Sequence, residues 1–272
     1  MMRLVAVLLL ALASFPQAAA AAEWSAFMTV AEVRERLATP GLRIVDLRGS
    51  AAYAQEHADG AVSMPAPRWQ AAADEGRLPQ VIGAAGIHPD RPLLLVHYDT
   101  EPVNFIETAW IAWTLRTRGI RSVSVLDGGM RAWSGAGLRQ TGRVHDHRRY
   151  TLDYAPAGDA VLSRSELEDL RLGTARVARV SARSGTGEGG APAAVALDEL
   201  LAGPGGLADR VALLERVKNA AVPWGADRLV LDGDSREAAP ALWFIASEML
   251  GIRGLTVAEP PKPVTRQATL DG

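Results

Sequence analysis

Two turns in this sequence carry residue types that could perform chemistry. Asp99 follows the apolar run Leu93–Tyr98 (LLLVHY), and the acidic stretch Asp232–Glu237 (DGDSRE) follows the shorter run Leu229–Leu231. Carboxylates in such a turn can bind magnesium or act as nucleophiles, whereas a serine hydroxyl and an arginine can bind a small anion. Acidic surface turns that bind nothing are also common, so the residue types alone leave these functions open.

Chemistry that depends on a thiol is excluded, because the sequence contains no cysteine. The chain has no thiolate nucleophile, no disulfide and no cysteine ligand for a metal. This composition is compatible with an oxidising compartment, where a free thiol is at risk of oxidation.

Two further patterns are weaker indications of a ligand. Gly185–Gly190 fits the dinucleotide-binding pattern GxGxxG, but Pro192 follows where a helix should start, which favours a flexible loop. The triplet His145–His147 could bind a transition metal, but its polar surroundings without further ligands favour solvated surface. We therefore predict no cofactor and no metal ion. The net charge of −2 gives no support to nucleic-acid binding.

The elements around these turns alternate between helices and strands. In the first half, Thr29–Leu37 and Asn104–Arg118 carry apolar residues at helical spacing, and Thr29 with Glu32 forms a predicted capping box. Strands are predicted at Leu42–Leu47, Leu93–Tyr98 and Ser122–Leu126. Alternation of this kind is typical of an α/β domain around a mostly parallel sheet, whose ligands bind at the carboxyl ends of the strands.

The second half repeats this order. We predict a capped helix at Ser163–Leu170, strands at Ala175–Ser181 and Leu229–Leu231, and a helix from about Ala239 to Leu250. Between the halves, Ser134–Ala160 is rich in Gly, Arg, His and Pro and lacks periodicity. We therefore predict a first domain over residues 23–138, a linker over 139–160 and a second domain over 161–272.

Residues 1–22 have the composition of an export signal. Arg3 supplies a positive charge, Leu4–Leu12 is an apolar core, and small residues allow cleavage near Ala20 or Ala22. The apolar run is shorter than the roughly 20 residues that a membrane-spanning helix needs. We predict a periplasmic or secreted protein that is not embedded in the membrane after cleavage, with an uncleaved membrane anchor as the alternative.

The first half resembles the N-terminal domain of tandem rhodanese-like sulfurtransferases. Four elements of that family occur in order: Asp-x-Arg after the early strand, a tyrosine, His-x-x-Gly-Ala, and Leu-Asp-Gly-Gly followed by a tryptophan. The matching residues are Asp46 and Arg48, Tyr53, His57 with Gly60 and Ala61, and Leu126–Gly129 with Trp133. The resemblance implies an α/β fold of two rhodanese-like domains, each a mostly parallel sheet flanked by helices.

The resemblance is weaker in the second half, so we expect a degenerate second domain. The family has a Gly-His-Ile-Pro-Gly-Ala-Val-x-Leu stretch, and this chain has Gly189–Leu197 (GGAPAAVAL) at that position. Where the family has Asp-x-Arg, this chain has Ser181–Arg183. In the family, the catalytic cysteine follows the central strand and opens a six-residue loop whose N–H groups hold an anion. The resemblance places Asp99 at this position in the first domain. In the second it places Asp232 there, or Gly233 if the register slips by one.

These features favour an exported rhodanese-like protein that is inactive as a sulfurtransferase and binds or scaffolds an unidentified protein or small anion. Arg48, Ser235 and Arg236 are the anion-binding candidates, although each carboxylate of the second loop would repel an anion about 4 Å away by roughly 4 kcal/mol. One alternative is a thiosulfate sulfurtransferase-related protein of sulfur metabolism that works with a thiol-bearing partner. Another is a metal-assisted hydrolase that uses the Asp232 loop.

Overall fold

Parts of both halves of the chain are described by a computed structural model. The described residues are 24–151, 153–154, 161–163, 165–166, 177–183, 194–201, 207, 209–219 and 228–258. The predicted export signal lies outside them, and so do Gly185–Gly190 and Pro192. Within the described part of the chain, no helix combines the length and the apolar character needed to cross a membrane.

A parallel sheet of five strands forms the centre of the first domain, in the order β1-β6-β5-β2-β4. The strands of this domain are β1 (Phe27–Met28), β2 (Arg43–Asp46), β3 (His57–Ala58), β4 (Val62–Ser63), β5 (Leu93–Val96), β6 (Val123–Leu126) and β7 (Gln140–Thr141). The helices are α1 (Val30–Arg36), α2 (Ser50–Gln55), α3 (Ala66–Asp74), α4 (Leu78–Ala84), α5 (Pro102–Arg116) and α6 (Gly129–Gly135). Strands β3 and β7 form a separate antiparallel pair.

The second domain repeats the strand order of the first. Its parallel sheet has the order β8-β12-β11-β9-β10. Counted by their order in the sequence, the strands of both sheets lie side by side as first, fifth, fourth, second and third. The strands are β8 (Val161–Leu162), β9 (Val177–Arg183), β10 (Ala194–Ala196), β11 (Arg228–Gly233) and β12 (Leu255–Ala258). The described helices are α7 (Leu197–Leu201), α8 (Arg210–Asn219) and α9 (Ala238–Trp243), which continues as a π-helix over Phe244–Met249. The predicted α/β fold of two similar domains is therefore confirmed.

Helix starts follow the capping chemistry that the sequence predicts. The backbone N–H of Glu32 donates to the Thr29 hydroxyl at 3.3 Å, and the backbone N–H of Thr29 donates to the Glu32 carboxylate at 2.7 Å. Ser163 and Glu166 form the same reciprocal pair, with distances of 3.3 and 2.8 Å. Each pair satisfies backbone donors that the first turn of a helix leaves without partners.

The central strand of the second domain is longer than the sequence predicts. The predicted strand ended at Leu231 and the loop opened at Asp232, but β11 continues through Gly233. Asp232 pairs with Ser181 and Gly233 pairs with Ala182 of the neighbouring strand. Aspartate and glycine are poor strand formers, and pairing with a long neighbour overrides that local preference. The loop therefore begins at Asp234.

Helix α5 lies between the two domains, and its middle is buried on every side. All residues from Thr108 to Leu115 are buried, including Trp110 and Trp113. One side of α5 packs on its own sheet and the other on α9, where the rings of Phe105 and Phe244 meet edge to face with centroids 6.2 Å apart. A helix that is apolar all round requires burial on both sides. One hydrophobic core consequently extends through both domains.

The described part of the predicted linker packs along the first domain. The backbone N–H of Tyr150 donates to the carbonyl of Gly83 at 3.0 Å, and the Tyr154 hydroxyl donates to the carbonyl of Ile87 at 2.7 Å. Gly83 allows this approach because it has no side chain. A β-carbon at Gly83 would lie 2.0 Å from the carbonyl oxygen of Tyr150.

We predict that Gly83→Ala lowers the free energy of unfolding by about 1–3 kcal/mol, because the linker must move away from α4. The matched control is Gly135→Ala, where an added β-carbon meets nothing within 4 Å. Gly135 lies at the end of α6, so alanine should leave stability unchanged or raise it slightly. Urea denaturation of both variants measures the difference, and equal stabilities would contradict the close approach.

Candidate functional site

Asp46 and Arg48 of the Asp-x-Arg element form a buried, bidentate ion pair at the carboxyl end of β2. The guanidinium of Arg48 donates to both carboxylate oxygens of Asp46, with Nε–Oδ1 at 3.0 Å and Nη2–Oδ2 at 2.7 Å. It also donates to the carbonyl of Glu56 at 2.7 Å, and both side chains of the pair are buried. Arg48 was an anion-binding candidate, but these contacts occupy its charged end within the first domain.

Asp99 is held by groups of its own domain. One carboxylate oxygen accepts hydrogen bonds from the Asn104 amide at 2.7 Å and from the backbone N–H of Glu101 at 3.0 Å. The other accepts from Arg131 at 2.8 Å. Burial raises the pKa of Asp99, but the bonds from Asn104 and Glu101, together with the charges of Arg131 and His97, outweigh burial and leave the pKa below its ordinary value. The Asp99 carboxylate thus stabilises the turn between β5 and α5.

Strand register identifies the matching positions of the two domains. In the first sheet, Asp46 pairs with Val96. In the second sheet, Ser181 occupies the position equivalent to Asp46, and it pairs with Asp232. Asp232 therefore matches Val96, a strand residue. This placement differs from the loop-opening position predicted for Asp232.

The residue that matches Asp99 in this register is Ser235. Asp99 is the third residue after Val96, and Ser235 is the third after Asp232. Helices α5 and α9 start at Pro102 and Ala238, which are each three residues further on. The hydroxyl oxygen of Ser235 accepts a hydrogen bond from the backbone N–H of Ala238 at 3.2 Å, so it satisfies the first backbone donor of α9.

The rest of the second loop, Arg236 and Glu237, contacts α3 of the first domain. Arg236 forms an ion pair with Asp74 and donates to the carbonyl of Gln70 at 3.2 Å. The Gln70 amide donates in turn to Glu107 at 3.2 Å and to Glu237 at 3.3 Å. Arg236 was the other charged anion-binding candidate, and its guanidinium is directed at the neighbouring domain. We call this set of contacts the interdomain tie.

A cavity of about 390 Å³ lies beside the interdomain tie. Residues of both domains line it: Gln70, Pro102, Val103, Ile106, Glu107, Ser235 and Glu237. Its two charged lining residues, Glu107 and Glu237, are both carboxylates. Like charges repel strongly where protein walls lower the local dielectric constant, so this cavity disfavours an anion.

Two histidines of the first domain, His57 and His97, have structural contacts. The ring of His57 stacks on Tyr53 with centroids 3.7 Å apart, and its Nδ1 donates to the Tyr53 carbonyl at 2.7 Å. His97 accepts at Nδ1 from the backbone N–H of Tyr98 at 2.8 Å, which leaves Nε2 facing Glu107 at 3.5 Å. Both histidines are buried.

No group of three or more acidic or histidine side chains in the described part of the chain could hold a metal ion. His145 and His147, the candidate ligands in the linker, have separate partners. Nε2 of His145 lies 3.1 Å from Asp59, and Nε2 of His147 bonds to the carbonyl of Ala84 at 2.8 Å.

Sequence reasoning missed Gln70, Asp74 and Glu107. These residues lie on α3 and α5 without any motif around them, and they meet the second loop only after the two domains pack together. Their polar side chains on otherwise apolar helices were the one available indication. Such a pattern does not name a partner.

We predict that Asp99→Asn destabilises the protein at neutral pH and that this difference shrinks in acid. The pKa of Asp99 is depressed in the folded state, so its contribution is present above the unfolded pKa of about 3.9 and disappears as the pH falls through the folded pKa. Urea denaturation between neutral pH and about pH 3 measures the difference. Asp153→Asn, an exposed change in the linker, is the control. A difference that stays constant with pH would contradict the argument.

Comparisons with known proteins agree with this geometry. The model of the rhodanese-like domain family matches residues 29–136. A comparison of the sequence with curated proteins finds no match.

Solved structures with the same fold include sulfur-transferring enzymes. The rhodanese-fold 3-mercaptopyruvate sulfotransferase SseA from Escherichia coli has a TM-score of 0.68 at 17% identity, over 86% of this chain and 97% of its own. The 3-mercaptopyruvate sulfurtransferase from Leishmania major has a TM-score of 0.63 at 18% identity, over 86% of this chain and 72% of its own.

An anaerobic ergothioneine biosynthesis enzyme from Chlorobium limicola, in complex with trimethyl histidine, has a TM-score of 0.59 at 16% identity, over 80% of this chain and 60% of its own. At such identities these likenesses establish the fold alone. Residues 29–136 therefore form a rhodanese-like domain, and the chain as a whole has the fold of these two-domain enzymes while its sequence contains no cysteine.

Proposed function

We propose that this chain is an exported, non-catalytic member of the rhodanese-like family that acts as a binding or scaffolding module. Rhodanese chemistry needs a thiolate that attacks sulfane sulfur and carries it as a persulfide. The chain has no cysteine, and neither a carboxylate nor a hydroxyl can carry transferable sulfur in this way. The loss of the thiol therefore removes the chemical step itself.

The observation that carries the proposal is the interdomain tie. The second loop should offer free donors to an anionic substrate, but Arg236 is directed at Asp74 and at the carbonyl of Gln70. Ser235 is the position that matches Asp99, and its oxygen accepts the first backbone N–H of α9. The loop thus forms a contact between the domains instead of an open anion-binding site.

Charge around this loop also opposes a sulfur oxyanion. Glu107 and Glu237 face the cavity between the domains, and the exposed Asp234 lies at the start of the loop. One carboxylate about 4 Å from an anion costs roughly 4 kcal/mol at an effective dielectric constant near 20. A small anionic sulfur donor would therefore bind poorly here even if a thiol were present.

The export part of the proposal rests on the N-terminal sequence. A positive residue, a short apolar run and small residues near Ala20 and Ala22 form the pattern of a cleaved signal. A cysteine-free chain also suits an oxidising compartment. Cell fractionation and N-terminal sequencing test this part separately, and an intact chain in the cytoplasm would contradict it.

We predict background rates when the purified protein is assayed with thiosulfate or 3-mercaptopyruvate as sulfur donor and cyanide as acceptor. We further predict that Ser235→Cys stays near background, because a new thiol there has no free cationic group beside it. The control is Ser165→Cys, which places a thiol on the exposed surface of the same domain. A thiol reagent confirms that both new cysteines are accessible.

The two outcomes that contradict these predictions have different meanings. Turnover by the unmodified protein would overturn the non-catalytic function. Turnover by Ser235→Cys at more than about ten times the rate of Ser165→Cys would leave that function standing but overturn the closed loop. Activity that appears only when a cysteine-bearing partner is added would favour the alternative in which the partner supplies the thiol.

A further inference from the structure

A large groove lies at the opposite edge of the sheets from the loops described above. It has a volume of about 830 Å³ and opens where β1, β6 and β12 begin, so it lies at the amino ends of these strands. Trp24 lines the groove just before β1, Arg121 just before β6 and Arg253 just before β12. The ends of α5 and of the π-helix supply another wall, and α8 supplies the rim.

The lining of this groove has an excess of positive charge. Three arginines line it, Arg116, Arg121 and Arg253, against one acidic residue, Glu248, so the difference is two positive charges. Glu248 is already paired, because its carboxylate lies 2.9 Å from the guanidinium of Arg116. Arg121 and Arg253 are exposed, and no described residue forms an ion pair with either of them.

Apolar side chains lie in the same groove beside these arginines. Val211 is 75% exposed, and Leu214 lies three residues further along α8. Trp24 adds an aromatic surface. Ligand sites commonly have volumes of roughly 300–1,000 Å³ and combine apolar walls with a few polar groups, as this groove does.

We propose that this groove binds a small organic anion with an apolar body. A carboxylate, sulfonate or phosphate group would lie against Arg121 and Arg253, whose planar guanidinium groups suit such anions. The apolar part would lie on Val211 and Leu214. This site is independent of the interdomain tie and of the absent cysteine, so it gives the binding function a place that the family's catalytic loops do not supply.

The test uses the fluorescence of 8-anilinonaphthalene-1-sulfonate, an anion with an aromatic body, titrated into the purified protein. The double variant Arg121→Ser/Arg253→Ser removes both free charges of the groove. The control, Arg68→Ser/Arg143→Ser, removes two exposed arginines outside the groove and has the same net charge. Circular dichroism and thermal unfolding verify that both variants are folded.

We expect saturable binding that weakens by about tenfold or more in the groove variant and stays unchanged in the control. Binding should also weaken with added salt, because the two arginines are exposed. The neutral analogue N-phenyl-1-naphthylamine should bind more weakly and should not distinguish the variants. Equal affinity of both variants for the anion, or no saturable binding to the unmodified protein, would overturn the proposal.

Discussion

The burial of α5 over Thr108–Leu115 is the constraint on which the rest of this structure depends. A helix that is apolar on all sides cannot be covered by one sheet, so the second domain must pack against it through α9. That packing merges the two cores, with Phe105 and Phe244 in edge-to-face contact. It also brings the carboxyl ends of both central strands to the same boundary, where the interdomain tie forms.

The two edges of this boundary differ in their chemistry. At the carboxyl ends of the strands, Arg236 is neutralised by Asp74, and the cavity is lined by the carboxylates of Glu107 and Glu237. At the amino ends, Arg121 and Arg253 keep their charges free among the described residues. The edge beside the second loop thus carries paired or negative side chains, whereas the opposite edge carries two exposed arginines.

Local features of the fold could be predicted from the sequence, and features that depend on packing could not. The Thr29–Glu32 and Ser163–Glu166 capping boxes depend on side chains three residues apart, so both were predicted correctly. The extension of β11 to Gly233 depends on pairing with a distant strand, which local propensity does not record. The interdomain tie depends on α3 meeting the second loop, so the sequence did not indicate that Arg236 pairs with Asp74.

In a rhodanese fold without a cysteine, the second loop can be open to a small ligand or closed by contacts of its own. Here the second loop is closed by contacts that also hold the domains together. The central claim is therefore best tested by titrating thiosulfate into ¹⁵N-labelled protein and following the backbone amides of residues 234–237. We predict no saturable shift of these amides. Saturable shifts that fit a single site at the second loop would contradict the account.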